Sequence, residues 1–456
     1  MQHFDAIVIG TGTAGQTAAA DLAAAGYEVA IAENSPTPGG VCALRGCQAK
    51  KWFYEAAETV ARSRHLLGRG ILKEPQVSWK QIVSEKNSFT EKIPQGTRDS
   101  LQGNEITYLE GLARFVDKNT LQVGASSYTA RYIIIATGAV PRNLSFPGAE
   151  FLATSDDFLD LPTLPQRIAF LGGGFISFEF AHFAARLGCD GGNVHILEAG
   201  ERPLGPFDKD LVLQLVAASQ SDGINILTKV DVTSIEKREK GCIVHFSSGD
   251  FLEVDLVVNG TGRIANIASL QLDKAGIKAT EKGINVDHAM RTSNPFVYAV
   301  GDCAQSIMLA RVADMEGHIA AQAVSAQDEN KEMPAIDYSE VPAVLFTYPQ
   351  LGMVGKTEEQ LQQENIRYWK SYDTRLSWPT YRRIGMKHAA YKILIDENSH
   401  ILGAHFLGDN TTGLLNTFKQ AMLDRTPLNT LHRNNIMSPY PSRESDILYM
   451  LAPLLD

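Results

Sequence analysis

The chain has 456 residues, of which 44% are hydrophobic and 21% charged, and its formal net charge is −10. This length exceeds a single hydrophobic core and predicts about three domains. The negative charge argues against nucleic acid or an anionic membrane surface as a partner. Five cysteines do not make a disulfide scaffold, and no stretch reaches the roughly 18 apolar residues of a membrane span. We therefore expect a cytoplasmic protein.

The N-terminal segment reads as a strand, a glycine-rich turn, a helix and a second strand. The strand covers residues 5–10, and the turn has the pattern G-x-G-x-x-G at Gly10, Gly12 and Gly15. An acidic residue, Glu33, closes the second strand. This arrangement is typical of a dinucleotide-binding βαβ unit, although one such pattern alone is a weak signal.

Two cysteines follow in a glycine-rich loop, Cys42 and Cys47, with a basic residue, Arg45, between them. We predict a helix over residues 48–62. A thiolate at a helix N-terminus is stabilised by exposed N–H groups and by the helix dipole. A C-x4-C pair taken alone leaves two structural cysteines equally open. Its place after a dinucleotide turn in a cytoplasmic protein favours a redox-active pair.

The same βαβ design recurs further along the chain. A strand over 167–171 runs into a glycine-rich turn at 172–177, and a helix over 178–187 follows. Glu198 closes the returning strand, as Glu33 closes the first. Two such units, each with an acidic residue at the strand end, are a strong signal for two nucleotide sites.

Three more buried strands end in glycine-rich turns, at 132–138, 255–262 and 297–302. Ligands sit at such strand ends in open α/β sheets. A polar, acidic segment at 328–332, followed by Pro334, is interpreted as a linker. The remainder, 341–456, is predicted to be a separate α+β domain.

Together, these motifs closely resemble the FAD-dependent pyridine nucleotide–disulfide oxidoreductases, the group of dihydrolipoamide dehydrogenase, glutathione reductase and mercuric reductase. The resemblance covers nearly the whole chain. It implies an α/β fold with two Rossmann-like dinucleotide-binding domains, for FAD and NAD, plus a C-terminal α+β dimerisation domain in a homodimer. The implied domains are the FAD-binding domain over 1–148, the NAD(P)-binding domain over 149–265, the second part of the FAD-binding region over 266–335, and the interface domain over 336–456.

The resemblance also implies roles for individual residues. Glu33 would bind the adenosine ribose of FAD, and Asp302 the ribityl chain. Cys47 would face the flavin and Cys42 the substrate, while Lys51 and Glu179 would pair beside the flavin and the nicotinamide. No metal ligands are implied. The implied cofactor-binding positions are Gly10, Gly12, Ala14, Gly15, Glu33, Gly40, Lys51, Ala113, Thr137, Gly138, Gly172, Gly174, Ser177, Glu198, Gly262, Arg263, Gly301 and Asp302.

We expect NADH to be preferred over NADPH. A carboxylate at Glu198 can accept hydrogen bonds from both ribose hydroxyls and repels a 2′-phosphate. NADPH-specific family members carry arginine at this point and again several residues on, where this chain has Leu204. Arg202 lies nearby and complicates the interpretation.

The chain departs from the family near its C-terminus. The disulfide reductases carry His-Pro-Thr-x-x-Glu there, and the histidine acts across the dimer as acid and base. One alignment places Tyr440 and Ser445 at the His and Glu positions, and a shift by one places Pro439 and Glu444 there. Tyrosine titrates near pH 10, about 3 units above neutral pH, so turnover of glutathione or lipoamide disulfides should be weak. We assign Tyr440 to the catalytic set.

The leading hypothesis is an enzyme that passes electrons from NADH through FAD to a Cys42–Cys47 disulfide, and on to a small-molecule or small-protein acceptor. Mercuric reductase also has Pro-Tyr at the C-terminal position, so a soft-metal reductase is one alternative. This chain lacks the terminal cysteine pair of that enzyme. A diaphorase that reduces quinones directly from flavin, and a redox sensor without a metabolic substrate, are the others.

Overall fold

The computed structural model describes residues 1–189 and 192–455, which form two compact units. The first unit combines Met1–Trp52, Val83–Asn143 and Gly262–Asp337. The second combines Phe53–Ile82, Leu144–Thr261 and Tyr338–Asp456. The sequence-based domain boundaries remain predictions. Within the described ranges, no helix is both long enough and apolar enough to cross a bilayer.

Strands are numbered in chain order. They are β1 (Gln2–Ile9), β2 (Val29–Glu33), β3 (Thr107–Glu110), β4 (Ala113–Phe115), β5 (Thr120–Val123), β6 (Ser126–Ile135), β7 (Ala139–Pro141), β8 (Ile168–Leu171), β9 (Val194–Glu198), β10 (Ile224–Thr228), β11 (Val232–Lys237), β12 (Cys242–Phe246), β13 (Phe251–Val254), β14 (Leu256–Asn259), β15 (Arg263–Ala265), β16 (Ala279–Thr280), β17 (Gly283–Ile284), β18 (Val297–Ala299), β19 (Ala343–Leu345), β20 (Gln350–Gly355), β21 (Trp369–Asp373), β22 (Ala390–Ile395) and β23 (Ile401–Gly408).

Helices are numbered in the same way. They are α1 (Thr13–Ala24), α2 (Gly40–Leu44), α3 (Lys51–His65), α4 (Trp79–Thr90), α5 (Ile93–Gly103), α6 (Ser155–Leu159), α7 (Phe175–Leu187), α8 (Lys209–Ser221), α9 (Ala310–Asp328), α10 (Glu358–Gln363), α11 (Pro379–Arg382), α12 (Thr411–Leu423), α13 (Leu428–Asn435) and α14 (Ile447–Leu451).

The first unit is built on a seven-stranded sheet in the order β3-β2-β1-β6-β5-β4, with β18 also paired to β6. β1 pairs in parallel with β2 and β6, and β18 pairs in parallel with β6. These strands are rich in Val, Ile and Ala and are buried on both faces, as a parallel sheet covered by helices requires. Their carboxyl ends meet at the turns that the motifs occupy.

The second unit contains a four-stranded sheet, β10-β9-β8-β14, in which every pairing is parallel. An antiparallel sheet of β11, β12 and β13 follows β10 in sequence. The C-terminal part forms an antiparallel sheet in the order β19-β20-β23-β22-β21. β22 and β23 pair within it, and Ile393, Ala404 and Phe406 belong to a hydrophobic core shared with α12.

Two helix starts differ from the sequence-based expectation. The helix after the cysteine pair begins at Lys51, because residues 47–50 form turns. The second nucleotide helix, α7, begins at Phe175, directly after the glycine turn. The helical periodicity and the position of a glycine indicate that a helix is present, but they do not determine at which residue it begins.

Candidate functional site

The first glycine turn is closed so tightly that two of its glycines cannot carry a side chain. Gly10 has φ +108°, and a Cβ there would lie 2.4 Å from the carbonyl oxygen of Ala136. A Cβ on Gly15 would lie 2.0 Å from the oxygen of Gly10. A Cβ on Gly12, in contrast, would meet nothing within 4 Å. The turn therefore leaves open space at the N-terminus of α1, where backbone N–H groups favour an anion.

Glu33 ends β2 beside this turn. Its Oε2 accepts hydrogen bonds from the backbone N–H of Thr11 at 2.9 Å and from the Thr11 hydroxyl at 2.6 Å. Its Oε1 accepts one from the N–H of Ser35 at 2.8 Å. These bonds orient the carboxylate, and a carboxylate has about four acceptor sites, so capacity for ribose hydroxyls remains.

The cysteine loop packs directly on the first glycine turn. Gly40 has φ +75°, and a Cβ there would lie 2.4 Å from the Cα of Gly12. The N–H of Gly39 donates to the hydroxyl of Thr11 at 3.0 Å. Only glycine fits this approach of two backbones, and the contact places the cysteine pair next to the open space of the turn.

Both cysteines of the pair are present as thiols, Cys42 in the first turn of α2 and Cys47 in the turn before α3. Cys42 is half-buried and Cys47 is exposed. A hydrogen bond with Cys47, together with burial, raises the pKa of the Cys42 thiol. Thiols in hydrogen-bonding reach of each other are placed to form or break a disulfide.

Two charged residues of α9 act on Cys42 with opposite signs. The negative charge of Asp314 raises the pKa of the Cys42 thiol further, and the positive charge of Arg311 lowers it. Arg311 Nη1 lies 2.9 Å from Asp314 Oδ2, and the Thr13 hydroxyl also donates to Asp314. Thr13 follows Gly12 in the chain, so this charged pair adjoins both the turn and the cysteine loop.

Asp302 lies in a short 3-10 turn, Gly301–Cys303, that follows β18. Burial raises the pKa of its carboxyl, and the positive charge of Arg263 opposes that rise. The N–H of Gly301 donates to Glu316 Oε2 at 2.6 Å, and Glu316 is fully buried in α9. A Cβ on Gly301 would lie 3.3 Å from the Cβ of Ala14, so this turn packs against the start of α1.

The remaining predicted residues of the first unit frame the same sheet edge. Gly138 and Gly262 both have positive φ, at +68° and +115°. β7 and β15 pair after them, and Arg263 Nη2 donates to the Ala139 oxygen at 2.5 Å. Asn266 Nδ2 donates to the Thr137 oxygen at 3.3 Å.

Ala113 and Lys51 complete the first unit's predicted positions. Ala113 is buried at the start of β4, and the N–H of nearby Gly111 donates to the Glu33 oxygen at 2.8 Å. This bond, to the backbone carbonyl of Glu33, brings the segment predicted to meet adenine beside the residue predicted to bind ribose. Lys51 is half-buried at the start of α3.

These residues fit FAD. The glycine turn provides an open cradle at Gly12, where a side chain would meet no protein atom within 4 Å, and Gly10, Gly15 and Gly40 allow the close backbone packing around it. Glu33 and Asp302 supply carboxylates at the two strand ends that border it. A diphosphate at the start of α1 would be stabilised by the helix N-terminus.

The second glycine turn, in the second unit, is held by its own neighbours. Gly172 has φ +84°, and a Cβ there would lie 2.9 Å from both the Gly260 oxygen and the Thr261 Cα. Gly174 precedes α7, and the buried Ser177 donates to the Leu171 oxygen at 3.4 Å. The turn therefore has the close strand–helix packing of a nucleotide-binding unit.

Glu198 ends β9 and binds the second turn directly. Its Oε2 accepts from the N–H of Gly173 at 2.5 Å, and its Oε1 from the N–H of Gly200 at 2.6 Å. Nearby Arg202 donates from Nη1 to the Phe207 oxygen at 2.9 Å and from Nη2 to Glu359 Oε2 at 3.0 Å. The carboxylate is thus oriented at the turn, and the guanidinium is bound to a second carboxylate.

Glu179 is a buried charged residue of α7, 1% exposed. Its Oε1 accepts a hydrogen bond from the N–H of Phe346 at 2.9 Å. Phe346 packs edge-on against Tyr54 of α3, with ring centroids 5.5 Å apart. The carboxylate of Glu179 is therefore held from the segment that joins β19 to β20.

Tyr440 is 74% exposed and lies in a loop before the last helices. Arg383 Nη2 donates to the oxygen of Pro441 at 3.2 Å, and Arg443 Nε donates to Asp409 Oδ1 at 2.6 Å. Glu444 accepts from Asn410 at 3.2 Å. The loop thus presents the phenol to solvent while its backbone is held by the segment around Arg383.

Several residues that the sequence-based prediction omitted support these sites. Thr11 joins Glu33 to the cysteine loop, Glu316 holds the Asp302 turn, and Asp314 adjoins Thr13. Glu316 lies in the Ala-rich sequence of α9, and an acidic residue in such an apolar helix is a sequence signal that could have indicated it. Thr11 and Asp314 carry no such signal, because their partners are distant in sequence.

Comparison with known proteins bears on the whole chain. Residues 4–317 match the pyridine nucleotide-disulphide oxidoreductase family, and residues 341–446 match the dimerisation domain of the same family. A dihydrolipoyl dehydrogenase of Chlamydia pneumoniae is 31% identical over 457 residues, covering 96% of this chain and 95% of the relative. A glutathione reductase of Burkholderia cepacia is 32% identical over 417 residues, covering 90% and 91%.

Solved structures agree with this. The HOCl-induced flavoprotein disulfide reductase RclA of Escherichia coli superimposes with a TM-score of 0.87 at 25% identity, over 99% of this chain and 100% of that one. A Cu(II) complex of RclA gives a TM-score of 0.88 at 26% identity, over all of both chains. The predicted fold class is confirmed, as is the prediction of an enzyme. The chain belongs to the FAD-dependent pyridine nucleotide–disulfide oxidoreductase family.

Proposed function

We propose that this protein is an NADH-dependent flavoprotein oxidoreductase in which the Cys42–Cys47 pair reduces a small acceptor. NADH and a proton reduce the disulfide to two thiols and leave NAD⁺. The two thiols then reduce the acceptor by two electrons and return to the disulfide. FAD, when bound, supplies the two-electron redox centre that such a reaction requires.

The observation that carries this proposal is the hydrogen-bonded thiol pair on a loop that packs against the first glycine turn. A structural pair would be buried in a core, whereas Cys47 is exposed and Cys42 half-buried. A redox-active pair needs both accessibility and a cofactor nearby, and the contact between Gly40 and Gly12 supports the second requirement.

Residues of the second unit support NADH as the donor. Glu198 is oriented by two backbone N–H groups and keeps acceptor sites for ribose hydroxyls. The same charge opposes a 2′-phosphate. We assign to Glu179 the part beside the nicotinamide that its family resemblance implies, and its bond to the N–H of Phe346 would hold the carboxylate in place.

The dimerisation-domain match supports a homodimer in which Tyr440 of one subunit acts at the cysteine pair of the other. The exposure of Tyr440 agrees with a contact made outside its own subunit. Attack of a Cys42 thiolate on a disulfide releases a second thiolate, which an acid must protonate. A phenol is a weak acid for this step, so we propose an acceptor other than an ordinary small disulfide.

A second candidate acceptor is a soft or redox-active metal ion. The specific support is that a structural neighbour of this chain, RclA, was solved as a Cu(II) complex, both as itself and as a mutant in which one cysteine is replaced by serine. Two Cu(II) ions would take one electron each from the dithiol, giving two Cu(I), a disulfide and two protons. Paired thiolates suit a soft ion, and Cu(I) is one.

The test is anaerobic reduction of the purified protein with NADH, followed by visible spectroscopy. A long-wavelength thiolate–flavin charge-transfer band is expected in the wild type after reduction, when the electrons have passed on to the cysteine pair and the flavin is oxidised again. In Cys42→Ser the band is expected before NADH is added, because the remaining thiol has no disulfide partner, and NADH should abolish it by leaving the flavin reduced. The band should be absent in Cys47→Ser, since Cys47 is proposed to face the flavin. Cys242→Ser, which alters a buried cysteine of β12, is the matched control and should retain the band.

Acceptors are then compared under steady-state conditions: oxidised glutathione, lipoamide, Cu(II), Hg(II) and a quinone. Loss of turnover in Cys42→Ser is expected for disulfides and metal ions. Quinone turnover that survives in Cys42→Ser, with no other acceptor reduced by the wild type, would establish a diaphorase instead. A wild type without the charge-transfer band would refute the dithiol mechanism.

A further inference from the structure

The guanidinium of Arg202 is bound on several sides. Nη1 donates to the Phe207 oxygen at 2.9 Å, and Nη2 to the Gly205 oxygen at 3.2 Å. Nη2 also lies 3.0 Å and 3.3 Å from the two carboxylate oxygens of Glu359. The side chains of both partners are only partly exposed, at 22% for Arg202 and 37% for Glu359. The arginine is therefore held in one direction, toward α10.

The loop that carries Arg202 is folded back on the second glycine turn. Gly200 donates its N–H to Glu198, and the N–H of Leu204 donates to the Gly173 oxygen at 2.9 Å. Pro203 lies so close to Gly173 that a Cβ on that glycine would be 2.7 Å from the Pro203 Cβ. Arg202 thus lies between Gly200, which binds the carboxylate proposed to recognise ribose, and Leu204, which binds the glycine turn.

Glu359 is itself held in place by the start of α10. Thr357 caps this helix, accepting from the N–H of Gln360 at 3.2 Å in a capping box. The neighbouring Glu358 binds the buried Lys392 at 2.7 Å and Lys370 at 2.7 Å. Glu359 therefore projects from a helix start that is itself fixed by hydrogen bonds and ion pairs. A fixed partner reduces the conformational entropy that is lost when the ion pair with Arg202 forms.

We propose that Glu359 is a specificity-determining residue, which disfavours NADPH by holding Arg202 away from a 2′-phosphate. This inference rests on the proposed use of NADH at Glu198. Arginine is the side chain best suited to bind a phosphate in two-point geometry, so an arginine beside the ribose site would otherwise favour NADPH. The Glu359 carboxylate binds the same N–H donors that a phosphate would use. Selectivity at this site then depends on two carboxylates, Glu198 and Glu359, each with a different task.

The test uses the holoenzyme and its reductive half-reaction, in which loss of flavin absorbance is followed with NADH or with NADPH. This readout needs no acceptor. In Glu359→Gln, the NADPH rate constant divided by the NADH rate constant should rise about 1.5-fold to fivefold, the range of a partly exposed ion pair. In Glu359→Gln/Arg202→Gln the rise should vanish, since the released guanidinium is its cause.

Glu201→Gln is the matched control, because it removes a carboxylate from the same loop. Glu201 pairs with Lys229 at 2.9 Å and its side chain is 85% exposed. Its NADPH-to-NADH ratio should stay at the wild-type value, which separates release of Arg202 from a general loss of negative charge. Thermal unfolding of each variant checks that the loop remains folded.

A ratio that is unchanged in Glu359→Gln would overturn the inference while leaving the proposed function intact. A rise that persists in the double variant would overturn it as well, because the effect would not act through Arg202. A wild type that reduces its flavin faster with NADPH than with NADH would refute both the proposed donor and this inference.

Discussion

The two glycine turns share a motif but differ in what surrounds them. The first turn is enclosed by segments distant in sequence, through the contacts of Gly12 with Gly40 and of Ala14 with Gly301. The second turn has one distant neighbour, the segment of Gly260 and Thr261, and its other contacts come from the end of its own βαβ unit, through Glu198 and Leu204. A turn built into the core suits a cofactor that stays bound, and a turn bordered mainly by its own unit suits a dinucleotide that exchanges.

The two glycine turns are also held in place by different kinds of interaction. The first turn depends on close backbone packing, whereas the loop of the second leads into a cluster of buried charges. Lys392 is 1% exposed and binds Asp208, Asp210 and Glu358 at 2.6–3.0 Å. Asp208 directly follows the loop that carries Arg202. The first site should therefore respond to added volume, and the second to changes of charge.

The largest effect is expected for Lys392→Met. Removal of the buried ammonium leaves three carboxylates without their shared cation, and breaking such a group lowers the free energy of unfolding by about 3 to 5 kcal/mol. Chemical denaturation measures it. Lys370→Met is the control, since that side chain is 44% exposed and its bond to Glu358 should contribute less than about 1 kcal/mol. Equal losses in the two variants would contradict the assignment.

Gly40→Ala should break the first site selectively. The new Cβ would overlap the backbone of Gly12, and the alanine would have to adopt a positive φ. Together these effects should lower the free energy of unfolding by about 2 to 4 kcal/mol. We expect protein that purifies with little flavin. Gly26→Ala is the matched control. Gly26 has φ +91° with open space around it, so this variant measures the cost of the backbone strain without a steric overlap. Full flavin content in Gly40→Ala would show that the loop can move without loss of the site.

Acid should weaken the second site through Glu358. Burial opposes ionisation, but hydrogen bonds from Lys370 and Lys392 lower the pKa of Glu358 to about 2, from 4.5. Its contribution is complete above the unfolded pKa and is lost as the pH falls toward the folded one. Between about pH 7 and about pH 3, the free energy of unfolding of the wild type should fall by roughly 2 kcal/mol more than that of Glu358→Gln. Chemical denaturation at the two pH values measures this difference. Glu364→Gln, an exposed pair with Lys356, should follow the wild type.

The smallest effect is expected at Cys42. Because Asp314 raises the pKa of this thiol and Arg311 lowers it, Asp314→Asn should speed alkylation of the reduced pair at neutral pH about twofold to fivefold. Arg311→Gln should slow it. Mass spectrometry of Cys42 after a timed reaction with iodoacetamide measures both rates. Changes of the same sign in the two variants would rule out an electrostatic cause.

Much of the fold was predictable from the sequence, because its signals are local. Buried strands such as β1 and β8 are apolar runs that end at glycines, and the paired acidic residues Glu33 and Glu198 mark the strand ends that follow. The order of these motifs along the chain indicated the family. Helix starts were less accessible, as at Lys51, because turn residues and first-turn residues share the same composition.

The residues that orient the site were not predictable in this way. Asp314 contacts Thr13 across 301 positions, and Glu359 reaches Arg202 across 157. No periodicity or spacing rule connects positions so far apart, and each residue taken alone reads as a charge on a helix. Sequence motifs therefore predicted groups that would bind cofactors, while the residues that support those groups became visible only in the folded chain.

Thr11 has a consequence for energetics as well as geometry. Its buried hydroxyl donates to Glu33 and accepts from the N–H of Gly39, so one side chain belongs to both the nucleotide turn and the cysteine loop. A rearrangement of the loop that moves Gly39 when the thiols become a disulfide would therefore act on Glu33, the carboxylate predicted to bind ribose. By thermodynamic reciprocity, a change in the free energy of flavin binding on oxidation of the cysteine pair equals the change in the free energy of that oxidation on flavin binding. Flavin binding would then shift the midpoint potential of the pair.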